Sequence, residues 1–230
     1  MFFDPLYLMM ILPALLLSMW AQVKVKSTFD RFSREATRGG LSGAEAADRI
    51  LKSFGAGQVR IERAQGFLSD HYDPRVRVLR LSPRVYEGRS IASIGVAAHE
   101  AGHALQHADG YFPLQIRSAL VPVTQLGSWL VWPLLLIGFL MHSLALVKLG
   151  ILFFSGAVLF QLVTLPVEFD ASRRAVAILG GQNILTPVEL QGTRKVLSAA
   201  ALTYVAAAAA AVMQLLYFLM RAGLLGNRND

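Results

Sequence analysis

Ile91-Ala92-Ser93-Ile94-Gly95-Val96-Ala97-Ala98-His99-Glu100-Ala101-Gly102-His103-Ala104-Leu105-Gln106-His107-Ala108-Asp109-Gly110 decides how the rest of this chain is read. Ser90 ahead of it is a helix cap and Gly110 a stop, so the pattern predicts one helix running through His99 and His103. Histidines four residues apart on a helix lie about 40° apart around its axis, so both imidazoles reach one metal ion. Glu100 beside them completes an HExxH pattern. A carboxylate there takes a proton from a water on the metal, the arrangement of zinc metalloproteases. Ala101 and Gly102 between the ligands are small enough to let a second element pack close. Two exposed histidines around a structural glutamate would show the same letters, so the rest of the chain has to supply the support.

Composition places that helix in a membrane protein. The 230 residues are 54% apolar with a mean hydropathy of +0.48, and only 16% are charged; soluble domains average about 25% charged. Cysteine is absent, which excludes thiolate zinc sites, disulfides and cysteine nucleophiles and leaves His, Asp and Glu as metal ligands. The net charge of +7 comes without an aromatic-interleaved basic helix or an RNA-binding signature, so no nucleic-acid partner is expected.

Four apolar runs are candidate transmembrane helices: 5–22, 126–147 (its core Trp129 to Val147), 149–167 and 199–220. No Lys or Arg precedes the first run, whereas Lys24 and Lys26 follow it, so it reads as a retained anchor rather than a secretory signal. The second and third form a tight helical hairpin broken near Lys148 and Gly150, with His142 close to its tip. Lys24, Lys26, Arg31, Arg34, Arg38 and Arg117 lie between the first two runs, and Arg173, Arg174, Arg194 and Lys195 between the last two. The positive-inside rule puts both of these loops in the cytoplasm and both termini outside. The expected location is therefore a cell membrane, crossed several times, with the histidine helix on the cytoplasmic face. The HExxH helix itself does not span, because the apolar stretch Ile91 to Ala98 has only eight residues.

Residues 23–121 are long enough for a small folded domain. Ser42-Gly43-Ala44-Glu45 is a capping box opening a helix that ends near Gly55 or Gly57. Gln58 to Glu62 and Arg75 to Leu81 alternate like strands, with a polar turn, Asp70-His71-Tyr72-Asp73-Pro74-Arg75, between them. In the second loop, 168–198, Thr186-Pro187-Val188-Glu189 starts a helix that continues into the last span. The fold class is α+β, mostly helical, with about four transmembrane helices and a zincin-like domain carrying HExxH on its active-site helix.

A catalytic zinc commonly takes three protein ligands and leaves a fourth position open. His107 lies eight residues after His99, about 12 Å along a straight helix, so it is expected to stand behind the site or on the surface rather than to be the third ligand. Glu168-Phe169-Asp170-Ala171-Ser172-Arg173-Arg174 follows the third span on the same side of the membrane, which makes Glu168 the candidate. Read alone, the same cluster is a solvated helix end. His71 is either a transition-state hydrogen-bond donor or an ordinary turn histidine.

With these residues in place the chain resembles the YugP-like family of neutral zinc metallopeptidases of bacterial membranes. The resemblance runs through the leading span, Asp70 to Arg75, Leu81-Ser82-Pro83, Val96-Ala97-Ala98 leading into HExxH, and Leu165-Pro166-Val167-Glu168-Phe169-Asp170-Ala171-Ser172. It implies a zinc-dependent peptidase with His99 and His103 as ligands and Glu100 as general base. The chain is also distantly similar to the HtpX-type membrane proteases, in which the glutamate of an ExxxD motif is the third ligand. Here that glutamate is Glu168, while the aspartate position holds Ser172. Asp170 therefore stays open as an alternative ligand.

Taken together, these residues point to a membrane-anchored zinc-dependent endopeptidase, a hydrolase whose cofactor is Zn2+. Its expected partners are the lipid bilayer and a protein or peptide substrate associated with the membrane. A non-enzymatic metal-binding scaffold or sensor with an inactive HExxH is the second reading, and a dinuclear carboxylate site that adds His107 or Asp170 is the third.

Overall fold

The computed structural model describes residues 4–66 and 69–225 and contains two compact units. Met1–Trp20, Gln115–Leu165 and Thr203–Asp230 form the first; Ala21–Leu114 and Pro166–Leu202 form the second. In chain order the elements are α1 (Pro5–Phe32), α2 (Gly43–Ser53), β1 (Arg60–Arg63), β2 (His71–Asp73), β3 (Val78–Leu81), α3 (Pro83–Tyr86), α4 (Ile91–Ala108), α5 (Phe112–Leu140), α6 (Leu144–Gly181) and α7 (Pro187–Arg221). Four of these helices, α1, α5, α6 and α7, are long and apolar enough to cross a membrane.

In the first unit these four helices share a small aromatic and aliphatic core. Val131 and Leu135 of α5, Val147 and Ile151 of α6 and Tyr217 and Phe218 of α7 are buried together, with Leu6, Tyr7 and Met10 of α1 packed against them. Tyr217 donates its hydroxyl proton to Asp4 Oδ2 at 3.1 Å, which joins the start of α1 to the end of α7. Trp129, Trp132, Leu136 and Leu140 stay exposed, as lipid-facing side chains do.

The hairpin turns at residues 141–143, earlier than the Lys148–Gly150 break read from the sequence, so the helices differ from 126–147 and 149–167. His142 adopts a left-handed backbone with φ of 52° in that turn. Packing explains the offset. A Cβ on Gly138 would lie 2.9 Å from the backbone nitrogen of Val147, and one on Gly150 would lie 2.8 Å from Leu135 Cδ2, so both glycines are needed inside the contact of α5 with α6. Gly150 is an interhelical spacer here rather than a breaker.

In the second unit α4 is the central helix. It is buried on most sides, helped by Ala92, Gly95, Ala97, Ala98, Ala101, Gly102 and Ala104, whose small side chains leave room for neighbours all round. Helix α2 packs on it through Gly43, Ala46, Ala47, Ile50 and Leu51, a spacing of three and four that makes one apolar stripe. The capping box is present: Glu45 N–H donates to Ser42 Oγ at 3.2 Å and Ser42 N–H donates to Glu45 Oε2 at 2.7 Å. Ser90 caps α4 by accepting from Ser93 N–H, and Gly110 follows with φ of 66°.

The sheet has the order β1-β3-β2, with β1 parallel and β2 antiparallel to β3. Leu79 and Leu81 of β3 enter the core against α4. The segment His71 to Asp73, read from the sequence as a polar turn, is an edge strand, because its backbone pairs with Val78 to Arg80. The last turns of α6 and the first of α7 complete this unit, with Ala175, Leu179, Val196 and Leu197 in the same core. Residues 168–198, the segment that carries Glu168, belong to the same compact unit as most of 23–121. Glu189 fastens the start of α7, accepting from Thr186 N–H at 2.7 Å and from Arg38 N–H at 2.6 Å.

Candidate metal centre

His99 and His103 face outward from one side of α4, one helical turn apart, and their rings meet edge-on with centroids 4.7 Å apart. The neighbour that faces them is α6. Gly102 allows this approach: a Cβ there would lie 2.9 Å from the carbonyl oxygen of Ala171, so only glycine lets the two backbones come so close. Glu168, one turn earlier on α6, is then carried to the imidazoles. Its Oε2 lies 3.2 Å from His99 Nε2 and 3.5 Å from His103 Nε2.

One donor atom each from His99, His103 and Glu168 falls within 4.8 Å of the others, and among the described residues this is the group of that kind able to hold a metal ion. The three side chains are largely withdrawn from water, at 13%, 10% and 2% exposure. Burying a carboxylate costs several kcal/mol unless it is paired, and here two imidazoles face it. Burial by itself depresses the pKa of His103, but its hydrogen bond and attraction to Glu168, with Glu100 nearby, outweigh that and raise it above the ordinary imidazole range. Two imidazole nitrogens and one carboxylate oxygen are a donor set that suits zinc. The residues present therefore fit the ion that the sequence pattern implies. Glu100, next to His99 on α4, is buried to 9% exposure.

Each histidine is held from behind. Ser172 Oγ lies 3.1 Å from His99 Nδ1, so the serine that stands in the aspartate position of ExxxD occupies the supporting place behind that ring. Behind His103, Gln106 Oε1 lies 2.9 Å from Nδ1. Asp170 is turned away from the donor trio. It accepts from Gln106 Nε2 at 3.0 Å and pairs with Arg173 and with Arg174 Nε, and Arg174 also pairs with Asp109.

The remaining sequence candidates lie elsewhere. His107 Nδ1 is 2.8 Å from the hydroxyl of Tyr72 on β2 and stands outside the donor trio. His71 sits on β2 with the opposite facing from Tyr72, its Nδ1 bonded to Ser69 O at 2.8 Å and its Nε2 3.4 Å from Arg80 Nη1. The structure does not bring it to the trio. Asp70, two residues before Tyr72, accepts from Ser82 N–H and Ser82 Oγ; burial outweighs those bonds and, with Glu100 nearby, raises its pKa.

The HExxH pattern assigns no role to Gln106. The signal was available in its spacing: three residues after His103, it lies on the buried face of a helix where a polar side chain needs partners. Its contacts with Val167 and Asp170, by contrast, depend on how α6 docks.

Residues 7–223 match the family model described as "Putative neutral zinc metallopeptidase". The chain is 50% identical over 215 residues to the "Putative membrane protease YugP" of Bacillus subtilis (strain 168), an alignment that covers 94% of this chain and 96% of that protein. No solved structure matches.

Proposed function

Because this chain belongs to the family described as "Putative neutral zinc metallopeptidase", we propose that it is a membrane-anchored, zinc-dependent endopeptidase. The observation that carries this reading is the convergence of His99 and His103 from α4 with Glu168 from α6, sixty-nine residues after His99, on one buried point. These residues would hold the ion. Zinc held there would act as a Lewis acid and would make water nucleophilic near neutral pH.

Glu100 is the general base. Its place next to His99 on the same helix turn, at 9% exposure, lets it accept a proton from the attacking water with little competition from solvent. It then delivers that proton to the amine of the leaving peptide. Ser172 and Gln106 keep the two imidazoles oriented during these steps.

The substrate class follows from chain connectivity. Glu168 comes directly after the apolar run 149–167 in the same continuous helix, so a polypeptide presented at the bilayer surface is the natural substrate. The distribution of Lys and Arg supports placing the site on the cytoplasmic face of the cell membrane. The bilayer and a protein or peptide are its partners, and nucleic acid is not.

Zinc analysis of protein purified in detergent tests the reading. Wild type retains stoichiometric zinc, while His103→Ala and Glu168→Ala lose it. Glu100→Gln keeps the zinc and loses cleavage of a membrane-associated substrate. Cleavage unaffected by Glu100→Gln would leave the second reading, a metal-binding scaffold or sensor.

A further inference from the structure

Gln106 is completely buried, and its side chain meets three polar partners. Its Nε2 donates to the carbonyl oxygen of Val167 at 2.8 Å and to Asp170 Oδ2 at 3.0 Å. Neither partner has a proton to give: one is a main-chain carbonyl, and the other is a carboxylate whose oxygens already accept from Arg173 and Arg174. An amide turned the other way would aim its oxygen at two acceptors and leave its own N–H groups against His103. The partners therefore fix the side chain with Oε1 toward His103 Nδ1, 2.9 Å away.

An amide oxygen only accepts, so Nδ1 has to carry a proton. A metal takes only the neutral imidazole, which has one N–H, so a proton on Nδ1 leaves the lone pair on Nε2. That nitrogen is the one facing Glu168. We infer that Gln106 is a positioning residue that selects the ligating nitrogen of His103, its own orientation being set by Val167 and by the Asp170–Arg173–Arg174 cluster. His99 differs. Its partner is the Ser172 hydroxyl, which donates or accepts with equal ease and so imposes no tautomer. The site thus has one pre-set imidazole and one adaptable imidazole.

This inference rests on the proposal that His103 is a zinc ligand, and the test separates the two. Full-length protein labelled with 15N in histidine is purified in detergent and loaded with zinc. Wild type is expected to bind the metal through His103 Nε2 and to show a slowly exchanging proton on Nδ1. Gln106→Leu, close in volume but unable to accept, is expected to bind zinc roughly 10–100-fold more weakly in chelator competition and to shift the absorption bands of the Co2+-loaded protein. Asp170→Asn gives the amide at 106 a partner that can also donate, so it lowers zinc affinity in the same direction by a smaller factor.

Ligation through His103 Nδ1 would overturn the inference, and so would a folded Gln106→Leu protein with wild-type affinity and Co2+ spectrum. Wild type that takes up no zinc would bring down the metallopeptidase reading, and this inference with it. Should Gln106→Leu fail to fold, the wild-type nitrogen assignment and Asp170→Asn still decide the question.

Discussion

Gly102, the second variable position of HExxH, lies against the backbone of Ala171, and a Cβ added to it would sit 2.9 Å from the Ala171 carbonyl oxygen. The glycine is the spacer between the helix that carries the two histidines and the helix that carries Glu168. The motif thus encodes a docking distance as well as its candidate ligands.

Gly102→Ala is the direct test of that spacing. In an unconstrained helix the change gains up to about 1 kcal/mol, whereas here overpacking against a rigid backbone should cost about 1–3 kcal/mol. The expected result is a lower unfolding temperature together with reduced zinc retention, because displacement of α6 carries Glu168 with it. Gly95→Ala is the control on the same helix. Its Cβ would meet the Cγ2 of Thr193 at 3.0 Å, the end of a side chain rather than a backbone atom, so the loss should be smaller.

Removal of metal should destabilise the second unit. A ligand that binds only the folded state adds about 2.7 kcal/mol when its concentration is 100 times the dissociation constant. Differential scanning fluorimetry of zinc-loaded and chelator-treated protein should show a lower transition temperature without metal. The difference should vanish in Glu168→Ala, and a difference that persisted there would point to a metal site elsewhere.

Glu45 gives a pH dependence with a definite sign. The Ser42 N–H, followed by the Ser42 side chain, holds its carboxyl below the usual glutamate range. A lowered pKa means that the folded state favours the ionised form. The contribution of the capping box is therefore present above about pH 4.3, the unfolded value, and is lost as pH falls through the folded value. Glu45→Gln should unfold more easily at neutral pH, and its deficit should shrink below that window in acid-unfolding curves.

Topology can be read by chemical labelling because the sequence contains no cysteine to remove. Met141→Cys, in the turn between α5 and α6, should react with a membrane-impermeant maleimide on intact cells. Asn183→Cys, between α6 and α7, should react only after the membrane is opened. The opposite pattern would place the metal centre outside the cell.

Much of the local structure was legible because it rests on nearest neighbours. The Ser42–Glu45 and Thr186–Glu189 caps, the Ser90 cap and the Gly110 stop are written within a few residues of where they act. Strand β2 was hidden because three residues of mixed polarity, His71 to Asp73, carry no pattern of their own and become a strand only through β3. The hairpin turn was misplaced because Gly150 reads locally as a breaker, whereas its role depends on Leu135 across the contact.

The sequence by itself determined the helix bearing His99, Glu100 and His103, the apolar runs of the four long helices and the absence of thiolate ligands, since helical period and composition are properties of contiguous residues. It also favoured Glu168 as the third ligand, by its place just after the third apolar run, and left Asp170 open as an alternative. Tertiary structure separates the two. On α6, positions 168 and 172 share a face, and the contact of Gly102 with Ala171 turns that face toward the imidazoles. Position 170 is rotated away, to Arg173, Arg174 and the amide of Gln106. Which carboxylate meets the histidines is set by how two helices far apart in the chain pack, and that angle is not encoded at either motif alone.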